Sequence, residues 1–226
     1  MKNFGYHQLY IDGRLIDAEN KSNTTVICPA TGEVGAEIAN AGKNDAEKAL
    51  LAAEKGFQYW SKLPLAERTQ WMMKLRQAVL DNDDLLRQAM MHEMGKTYEG
   101  AWEDVEAMIN SLEWYPSAMK NYREEQIPDY ENTHRHKMIH QPAGVVVAYV
   151  AWNFPLLNAA FKIGPALAAG CSIILKPSDL SPLSAYLLGK ILADINFPAG
   201  VVNILSGPVN EVAKTLSSSR ITKTIT

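Results

Sequence analysis

The chain has 226 residues, and its hydrophobic fraction of 47% and charged fraction of 21% are those of a globular protein that can bury a sizeable core. A net charge of −3 and a pI near 6.0 give no reason to expect nucleic acid or an anionic membrane as a partner. The sequence shows neither an apolar run of the ~20 residues that a membrane span needs nor a signal peptide, and its two cysteines favour a reducing, cytoplasmic location.

The first forty residues predict two hairpins. In QLYIDGRLID, an Asp-Gly pair separates two alternating runs, which is a strong hairpin signal. The segment TTVICPATGEVGAEI repeats this pattern around a turn at residues 29–32. We therefore expect short paired strands on both sides of each turn.

Helical spacing of apolar residues predicts four helices after these hairpins. The first begins near Asn44, which is a plausible N-cap, and the second covers residues 65–80. The third covers residues 84–94 and ends at Gly95, a C-cap residue. The fourth runs from about residue 98 towards residue 122, and Pro116 is expected to kink or split it.

Residues 124–142 break the helical period, and their polar, alternating pattern predicts an exposed strand or hairpin. His134, His136 and His140 would face one side of a strand, a spacing that can hold a metal. No cysteine or carboxylate is paired with them in the pattern, and Arg135 and Lys137 adjoin them. We expect a solvated arm without a metal site.

From Gly144 onwards, strands and helices alternate. The apolar runs GVVVAYVA, CSIILK and GVVNIL predict buried strands, and ITKTIT begins a fourth. Helices are predicted at residues 155–169, from a Ser181-Pro182 cap to residue 195, and over VNEVAKTL. This order predicts an α/β fold with a doubly wound, mostly parallel sheet, to which the upstream segments add N-terminal helices and a protruding β arm.

Ligands of such sheets bind beyond the carboxyl ends of the strands, among the strand-to-helix loops. The three predicted loops are residues 151–154, 176–179 and 206–208. With strands about 4.8 Å apart, these loops lie within one small ligand of each other. The lysine and the carboxylate of the second loop suit the phosphate or ribose oxygens of a nucleotide. A G-x-G-x-x-G turn is missing, which disfavours a standard dinucleotide-binding βαβ unit.

The stretch from GVVVAYVAWNFP through KIGPALAAG and ILKPSD to GVVNILSG resembles the cofactor-binding core of the NAD(P)-dependent aldehyde dehydrogenase superfamily. The match is long, ordered and ungapped. Upstream, YIDGRLIDA, CPATGEV, WSKLPLAERTQWMMKLRQAV and EMGKTYEGAWEDV are similar to the family's N-terminal elements. The resemblance implies NAD or NADP as cofactor and oxidation of an aldehyde to a carboxylate through a cysteine thiohemiacetal.

The resemblance also assigns roles to individual residues. Asn153 would donate to the oxyanion, a contribution of about 3 kcal/mol, and Lys162 stands where the family has a lysine implicated in proton relay. Phe154 and Phe161 would line the aldehyde tunnel. The implied cofactor contacts are Val150, Ala151, Trp152, Asn153, Lys176, Ser178, Asp179 and Gly207. Residues 124–142 would be the arm through which subunits form a homodimer or homotetramer.

Two departures from the family pattern concern the cofactor. Asp179 stands where NAD-preferring members carry Glu, which leaves NAD versus NADP open. Pro208 follows the third loop where the family commonly shows further glycines, so that loop is expected to differ in shape.

The family's general-base Glu and nucleophilic Cys have no match in the sequence, because neither Cys28 nor Cys171 stands at the nucleophile's position. We therefore predict that this chain alone is inactive. It would contain the N-terminal part of the cofactor-binding domain (1–123), the oligomerisation arm (124–142) and an incomplete βαβ core (143–226). Alternatives are a CoA-acylating or reductase member of the superfamily, or a non-catalytic NAD(P)-binding or interaction fragment.

Each implied role has a structural alternative. Trp152 can be a core aromatic at a strand end, and Asn153 can cap the helix that follows it. Lys176 and Asp179 can be a surface lysine and a solvated loop acid. Lys162 can be a structural residue only.

Overall fold

The computed structural model describes residues 3–122, 124–131 and 133–226. Residue 123, at which the predicted boundary of the arm falls, and residue 132, inside the arm, lie outside the described residues, as do residues 1 and 2. The strands are β1 (Gly5–His7), β2 (Leu9–Ile11), β3 (Arg14–Ile16), β4 (Asn23–Ile27), β5 (Val34–Ala39), β6 (Glu125–Ile127), β7 (His136–Met138), β8 (Val145–Tyr149), β9 (Ser172–Lys176), β10 (Val202–Ile204) and β11 (Thr222–Ile225). The α-helices are α1 (Lys43–Trp60), α2 (Leu65–Asp81), α3 (Asp83–Met94), α4 (Trp102–Met119), α5 (Pro155–Ala169), α6 (Leu183–Asp194) and α7 (Lys214–Ser218).

A six-stranded sheet in the order β11-β8-β9-β10-β2-β3 organises the fold. β11, β8, β9 and β10 are parallel, which confirms the predicted parallel core. β2 runs antiparallel to β10 and forms a hairpin with β3. The hairpin itself is predicted from the sequence, but its place at the edge of the main sheet is not.

Helices cover both faces of this sheet, which confirms the doubly wound arrangement. The β8-α5-β9 and β9-α6-β10 crossovers place α5 and α6 together on one face. The chain then returns across the sheet to β11, so α7 lies on the other face, where it packs with α1. α2, α3 and α4 pack over α5 and α6 as a further helical layer.

Local signals place several element ends correctly. Asp12 and Gly13 both have positive φ, 54° and 75°, as a two-residue hairpin turn requires. Gly95, with a φ of 71°, ends α3 in the left-handed conformation. α5 matches its predicted bounds because Pro155 stands in its first turn and Gly170, with a φ of 86°, follows its last residue.

Other predicted ends are wrong. α1 begins at Lys43 with Gly42 as its N-cap, so Asn44 lies inside the helix and its side chain donates to Glu19 instead. The buried carboxylate of Asp45 accepts the Gly42 N–H at 3.0 Å and stabilises this helix start.

α4 starts at Trp102 rather than near residue 98, because residues 98–101 form turns in which the Gly100 N–H donates to Thr97 Oγ1 at 3.0 Å. It then continues through Pro116 without a break. The segment predicted as the third helix of the core begins as a π-helix over Val209–Ala213 and becomes α7 only at Lys214.

Within the described ranges, two smaller sheets lie outside the main one. β1, β5 and β4 form a three-stranded sheet, in which β4 and β5 are the second predicted hairpin. β6 and β7 form an antiparallel pair whose residues are all exposed, as predicted for this segment. Among the helices of the described residues, none has the length and apolar character that crossing a bilayer requires.

Candidate functional site

The loops after β8 and β9 are joined directly at the carboxyl edge of the sheet. The Val150 N–H donates to the Lys176 carbonyl at 3.1 Å and extends the strand pairing by one residue. The Ser181 hydroxyl donates to the Trp152 carbonyl at 2.9 Å. The prediction that Ser181 caps α6 is therefore wrong, and its hydroxyl instead fixes the first loop against the second.

Lys176, Asp179 and Ser206 form a polar cluster that joins the second loop to the third. The Lys176 ammonium lies 2.9 Å from Asp179 Oδ1, and the Ser206 hydroxyl donates to the same oxygen at 2.6 Å. Only 6% of Lys176 is exposed, so it is not a surface lysine, whereas the Asp179 side chain is 51% exposed. A buried ammonium requires such a partner, and the exposed carboxylate presents a polar face towards solvent at this edge.

Tyr186, which the sequence reasoning missed, holds the third loop from below. Its buried hydroxyl donates to the Ala39 carbonyl at 2.7 Å and accepts the Ser206 N–H at 3.0 Å. Burial raises the pKa of Tyr186, so the phenol stays protonated and keeps its donor. The sequence signal that could have identified Tyr186 is a tyrosine hydroxyl within the mostly apolar helix α6, since a buried hydroxyl needs hydrogen-bond partners.

Gly207 needs to be glycine for a packing reason. A Cβ at this position would lie 2.3 Å from the Ala41 carbonyl oxygen and 2.6 Å from a Val212 methyl. The third loop therefore lies directly against the segment before α1. Ser178, another predicted contact, accepts the Leu180 N–H at 3.2 Å and shapes the turn of the second loop.

The first loop presents its side chains to solvent. Ala151, Trp152 and Asn153 are exposed, and 54% of Trp152 is accessible, which excludes a core role for this indole within the chain. Asn153 is not a helix cap, because α5 has Phe154 at its N-cap position and no side-chain cap from its own loop. The side-chain oxygen Oδ1 of Asn153 lies 3.5 Å from the side-chain nitrogen Nδ2 of Asn158, so the side-chain N–H groups of Asn153 face away from this contact.

The start of α5 is instead held by a residue far away in the sequence. Asp104 of α4 is fully buried, and its Oδ1 accepts the N–H groups of Leu156 at 3.1 Å and Leu157 at 3.0 Å. Its second oxygen pairs with the Lys96 ammonium, which lies 3.8 Å from the centre of the Phe154 ring. A negative charge is stabilising at a helix N-terminus, and here it satisfies two N–H groups that the helix leaves unpaired.

The start of α6 is held in the same way by α3. The buried Glu93 carboxylate accepts the Leu183 N–H at 2.5 Å and the Ser184 N–H at 3.1 Å. Burial raises the pKa of Glu93 from 4.5 to about 7, against the opposite effect of these hydrogen bonds. Asp104 and Glu93 are thus equivalent long-range caps of the two helices that follow the first and second loops.

Lys162 and Phe161 lie on α5, beyond the first loop. The Lys162 ammonium donates to Thr226 Oγ1 at 2.7 Å, next to the end of β11. Phe161 is 54% exposed and lines a cavity of about 640 Å³ with residues of α4, including Ala107, Trp114 and Tyr115. Phe154, the other predicted tunnel residue, contacts Lys96 and does not line this cavity.

Neither cysteine lies at this edge. Cys171 precedes β9 and is therefore at the amino end of that strand, and Cys28 follows β4 in a different sheet. In the arm, the rings of His134 and His136 stack at 5.9 Å, whereas His140 lies beyond β7 against Tyr122. No group of three or more metal-ligating side chains occurs among the described residues.

An open parallel α/β sheet with polar loops converging at its carboxyl edge is the class of fold that binds nucleotides. The sequence model of the aldehyde dehydrogenase family matches residues 15–226, and the chain belongs to this family. It is 37% identical over 221 residues to 3,6-anhydro-alpha-L-galactose dehydrogenase of Vibrio sp. (strain EJY3). It is 33% identical over 219 residues to glutarate-semialdehyde dehydrogenase of Pseudomonas aeruginosa.

The solved structures agree with this assignment. A structure of 3,6-anhydro-L-galactose dehydrogenase in complex with NAP matches 97% of the chain with a TM-score of 0.92 and 34% identity. Betaine aldehyde dehydrogenase of Staphylococcus aureus in complex with NAD+ matches 97% of the chain with a TM-score of 0.91 and 29% identity. The chain covers 46% and 45% of the length of the two curated relatives, and 46% and 44% of the two solved chains.

Proposed function

We propose that this chain supplies the cofactor-binding part, and one oxyanion donor, of an enzyme that oxidises an aldehyde to a carboxylate with NAD or NADP. The observation that supports it most is the convergence of the Asn153 loop with the cluster of Lys176, Asp179 and Ser206 at one edge of the sheet. Membership of the aldehyde dehydrogenase family supports aldehyde oxidation as the reaction that these loops serve.

In this proposal, the three loops hold the dinucleotide. Asp179 accepts ribose hydroxyls, Lys176 contacts the ribose or phosphate oxygens, and Ser178 lies beside them. Val150, Ala151 and Trp152 follow the cofactor along the first loop, whose backbone is fixed by Ser181. Gly207 acts by letting the third loop approach Ala41 rather than by contacting the cofactor itself. A dinucleotide held there would supply the hydride acceptor for the thiohemiacetal.

We propose that Asn153 donates an amide N–H to the oxyanion that forms when a thiolate attacks the aldehyde. The side-chain carbonyl of Asn153 faces the Asn158 amide at 3.5 Å, which leaves the Asn153 N–H groups free of that contact and supports this proposal. Neither Cys28 nor Cys171 lies near Asn153, so the thiolate must come from outside these 226 residues. We predict that the purified 226-residue chain forms no NADH with any aldehyde, and steady turnover would overturn this part of the proposal.

Other predicted residues have supporting roles. Phe161 lines the cavity of about 640 Å³ against α4, which we propose as part of the aldehyde tunnel. Lys162, whose ammonium donates to Thr226 Oγ1, is proposed to act in proton transfer. The exposed β6–β7 arm is proposed to join subunits into a homodimer or homotetramer. A cytoplasmic location is proposed, because two cysteines in 226 residues make no disulfide framework.

The proposal favours NAD over NADP. The charge of Lys176 is already compensated by Asp179, and the half-exposed carboxylate would repel a phosphate on the ribose. The similar solved structures contain NAP in one case and NAD+ in another, so they do not decide between the two cofactors. Dissociation constants for both dinucleotides, measured on the parent and on Asp179→Ser, test this. We expect tighter NAD binding in the parent and a smaller difference in the variant.

The experiment that tests the function is aldehyde oxidation, measured by NADH absorbance, in the protein that carries this sequence together with the segment that supplies the thiolate. We expect Asn153→Ala to lower kcat about 10²- to 10³-fold, as removal of an oxyanion donor does in other enzymes, with the melting temperature unchanged. A variant with the parent's kcat would contradict the assigned role.

A further inference from the structure

Buried Asp104 forms a network with the half-buried Lys96 and Phe154 directly beside the proposed oxyanion donor. Asp104 is fully buried and contacts α5 through the N–H groups of Leu156 and Leu157. Its remaining oxygen pairs with Lys96, whose side chain is 14% exposed. The Lys96 ammonium also lies 3.8 Å from the centre of the Phe154 ring, so one cation contacts the residue next to Asn153 and the carboxylate contacts the turn that follows.

Asn153 itself has few contacts that fix its position. It is exposed, and the side-chain contact described for it is the 3.5 Å approach of Asn158, which is long for a hydrogen bond. The position of its amide therefore depends on the backbone on both sides. On the amino side, Ser181 holds the Trp152 carbonyl; on the carboxyl side, the network holds Phe154 and the first turn of α5.

The charges of this network make it resistant to displacement. A buried carboxylate that loses its cation is strongly destabilised, and a buried ammonium that loses its carboxylate is likewise unfavourable. Asp104 and Lys96 therefore keep each other in place. Because both also contact the start of α5 or Phe154, a shift of the loop would break a charged contact.

From this juxtaposition we propose that Lys96 and Asp104 are positioning residues, which hold the Asn153 loop in the geometry that oxyanion stabilisation requires. The expected effect of these residues on kcat rests on the proposed function, whereas their expected effect on the position of the loop does not. A displacement of about 1 Å at a reacting centre can lower a rate up to about 100-fold. Loss of the Lys96 contacts should therefore lower kcat and leave KM for the dinucleotide nearly unchanged.

The test is a double-mutant cycle between Lys96→Met and Asn153→Ala in the protein that carries this sequence. We expect Lys96→Met to lower kcat about tenfold in the parent and less than about twofold in the Asn153→Ala background, because it acts through Asn153. An equal loss in both backgrounds would overturn the proposal. Lys96→Arg, which keeps the cation and can stack on Phe154, should recover most of kcat.

Lys74→Met is the matched control. Lys74 lies on α2, away from the Asn153 loop, and like Lys96 it contacts an aromatic ring, 4.8 Å to the centre of Trp71; its hydrogen bond goes to the Ile195 carbonyl at 2.8 Å. Its kcat should equal that of the parent. Should Lys96→Met fail to fold, the double variant Lys96→Met with Asp104→Asn removes both charges and avoids an unpaired buried carboxylate; it should show the same loss of kcat.

Hydrogen exchange of the peptide over residues 152–158 gives a readout that is independent of catalysis. We expect about tenfold faster exchange in Lys96→Met in this peptide, with β9 unchanged. If the parent oxidises no aldehyde, the proposed function is wrong, and exchange alone then decides the positioning claim. Unchanged exchange at residues 152–158 would show that the network does not hold the loop.

Discussion

The carboxyl edge of the main sheet and the β6–β7 arm are both exposed, but they are held in different ways. At the sheet edge, buried groups such as Asp104, Glu93 and Tyr186 fix the loops from inside the chain. The arm has exposed residues in both strands and a surface ion pair, Lys137 with Glu124. A site whose loops are fixed in advance suits a small ligand, whereas an exposed hairpin suits a contact with another chain.

The largest effect that separates the two regions is expected from Asp104→Ala. It leaves Lys96 without its buried partner and two N–H groups of α5 without an acceptor, which costs about 3–5 kcal/mol of unfolding free energy. Urea denaturation measures this loss. Asp194→Ala, which breaks the exposed pair with Lys190, is the control and should leave the midpoint unchanged; equal shifts in the two variants would show that Asp104 is not a cap.

The second effect is a pH dependence that comes from Glu93. Its pKa of about 7 in the folded protein exceeds the ordinary 4.5, so the folded state holds a proton between these values that the unfolded state has released. The stability that Glu93 contributes is therefore complete below pH 4.5 and is lost as the pH rises through 7, by about 3 kcal/mol.

Glu93→Gln isolates this contribution, because glutamine does not titrate. The difference in unfolding free energy between parent and variant should move in favour of the variant from pH 5 to pH 8. A difference that is flat with pH would mean that Glu93 is already ionised throughout and that burial does not dominate its pKa.

The smallest effect on stability is expected in the arm. Ile127 is 46% exposed and Met138 is 45% exposed, so Ile127→Lys removes little buried area and should leave the unfolding midpoint within error. The same change should lower the molecular mass measured by light scattering, if the arm joins subunits as proposed. An unchanged molecular mass would show that Ile127 of the arm does not contribute to subunit association.

The parts of the fold that follow from neighbouring residues could be predicted from the sequence. The hairpin at Asp12 and Gly13 needs only positive φ at two positions, and α5 ends where Gly170 follows it. The predicted Ser181 cap of α6 is wrong because the starts of α5 and α6 are held by the distant carboxylates of Asp104 and Glu93, 52 and 90 residues away. Single-sequence patterns contain no signal for such contacts.

The same limit applies to the site. The alternation of strands and helices along the chain is enough to predict that Lys176 and Asp179 lie at the same sheet edge as Asn153. The hydrogen bond from Ser206 to Asp179 and the support from Tyr186 depend on packing between separate loops. Their geometry could not be read from the spacing of residues.

We propose that the loops at the carboxyl edge form one dinucleotide site. The test is a titration of NAD into the protein that carries this sequence, measured by tryptophan fluorescence, with Trp152 as the reporter at the site. The dissociation constant of the parent is compared with that of Lys176→Met and of the remote control Lys190→Met. We expect at least about tenfold weaker NAD binding for Lys176→Met, as loss of a charged hydrogen bond implies, and an unchanged dissociation constant for Lys190→Met. Equal NAD affinity in the parent and in a folded Lys176→Met variant would contradict it.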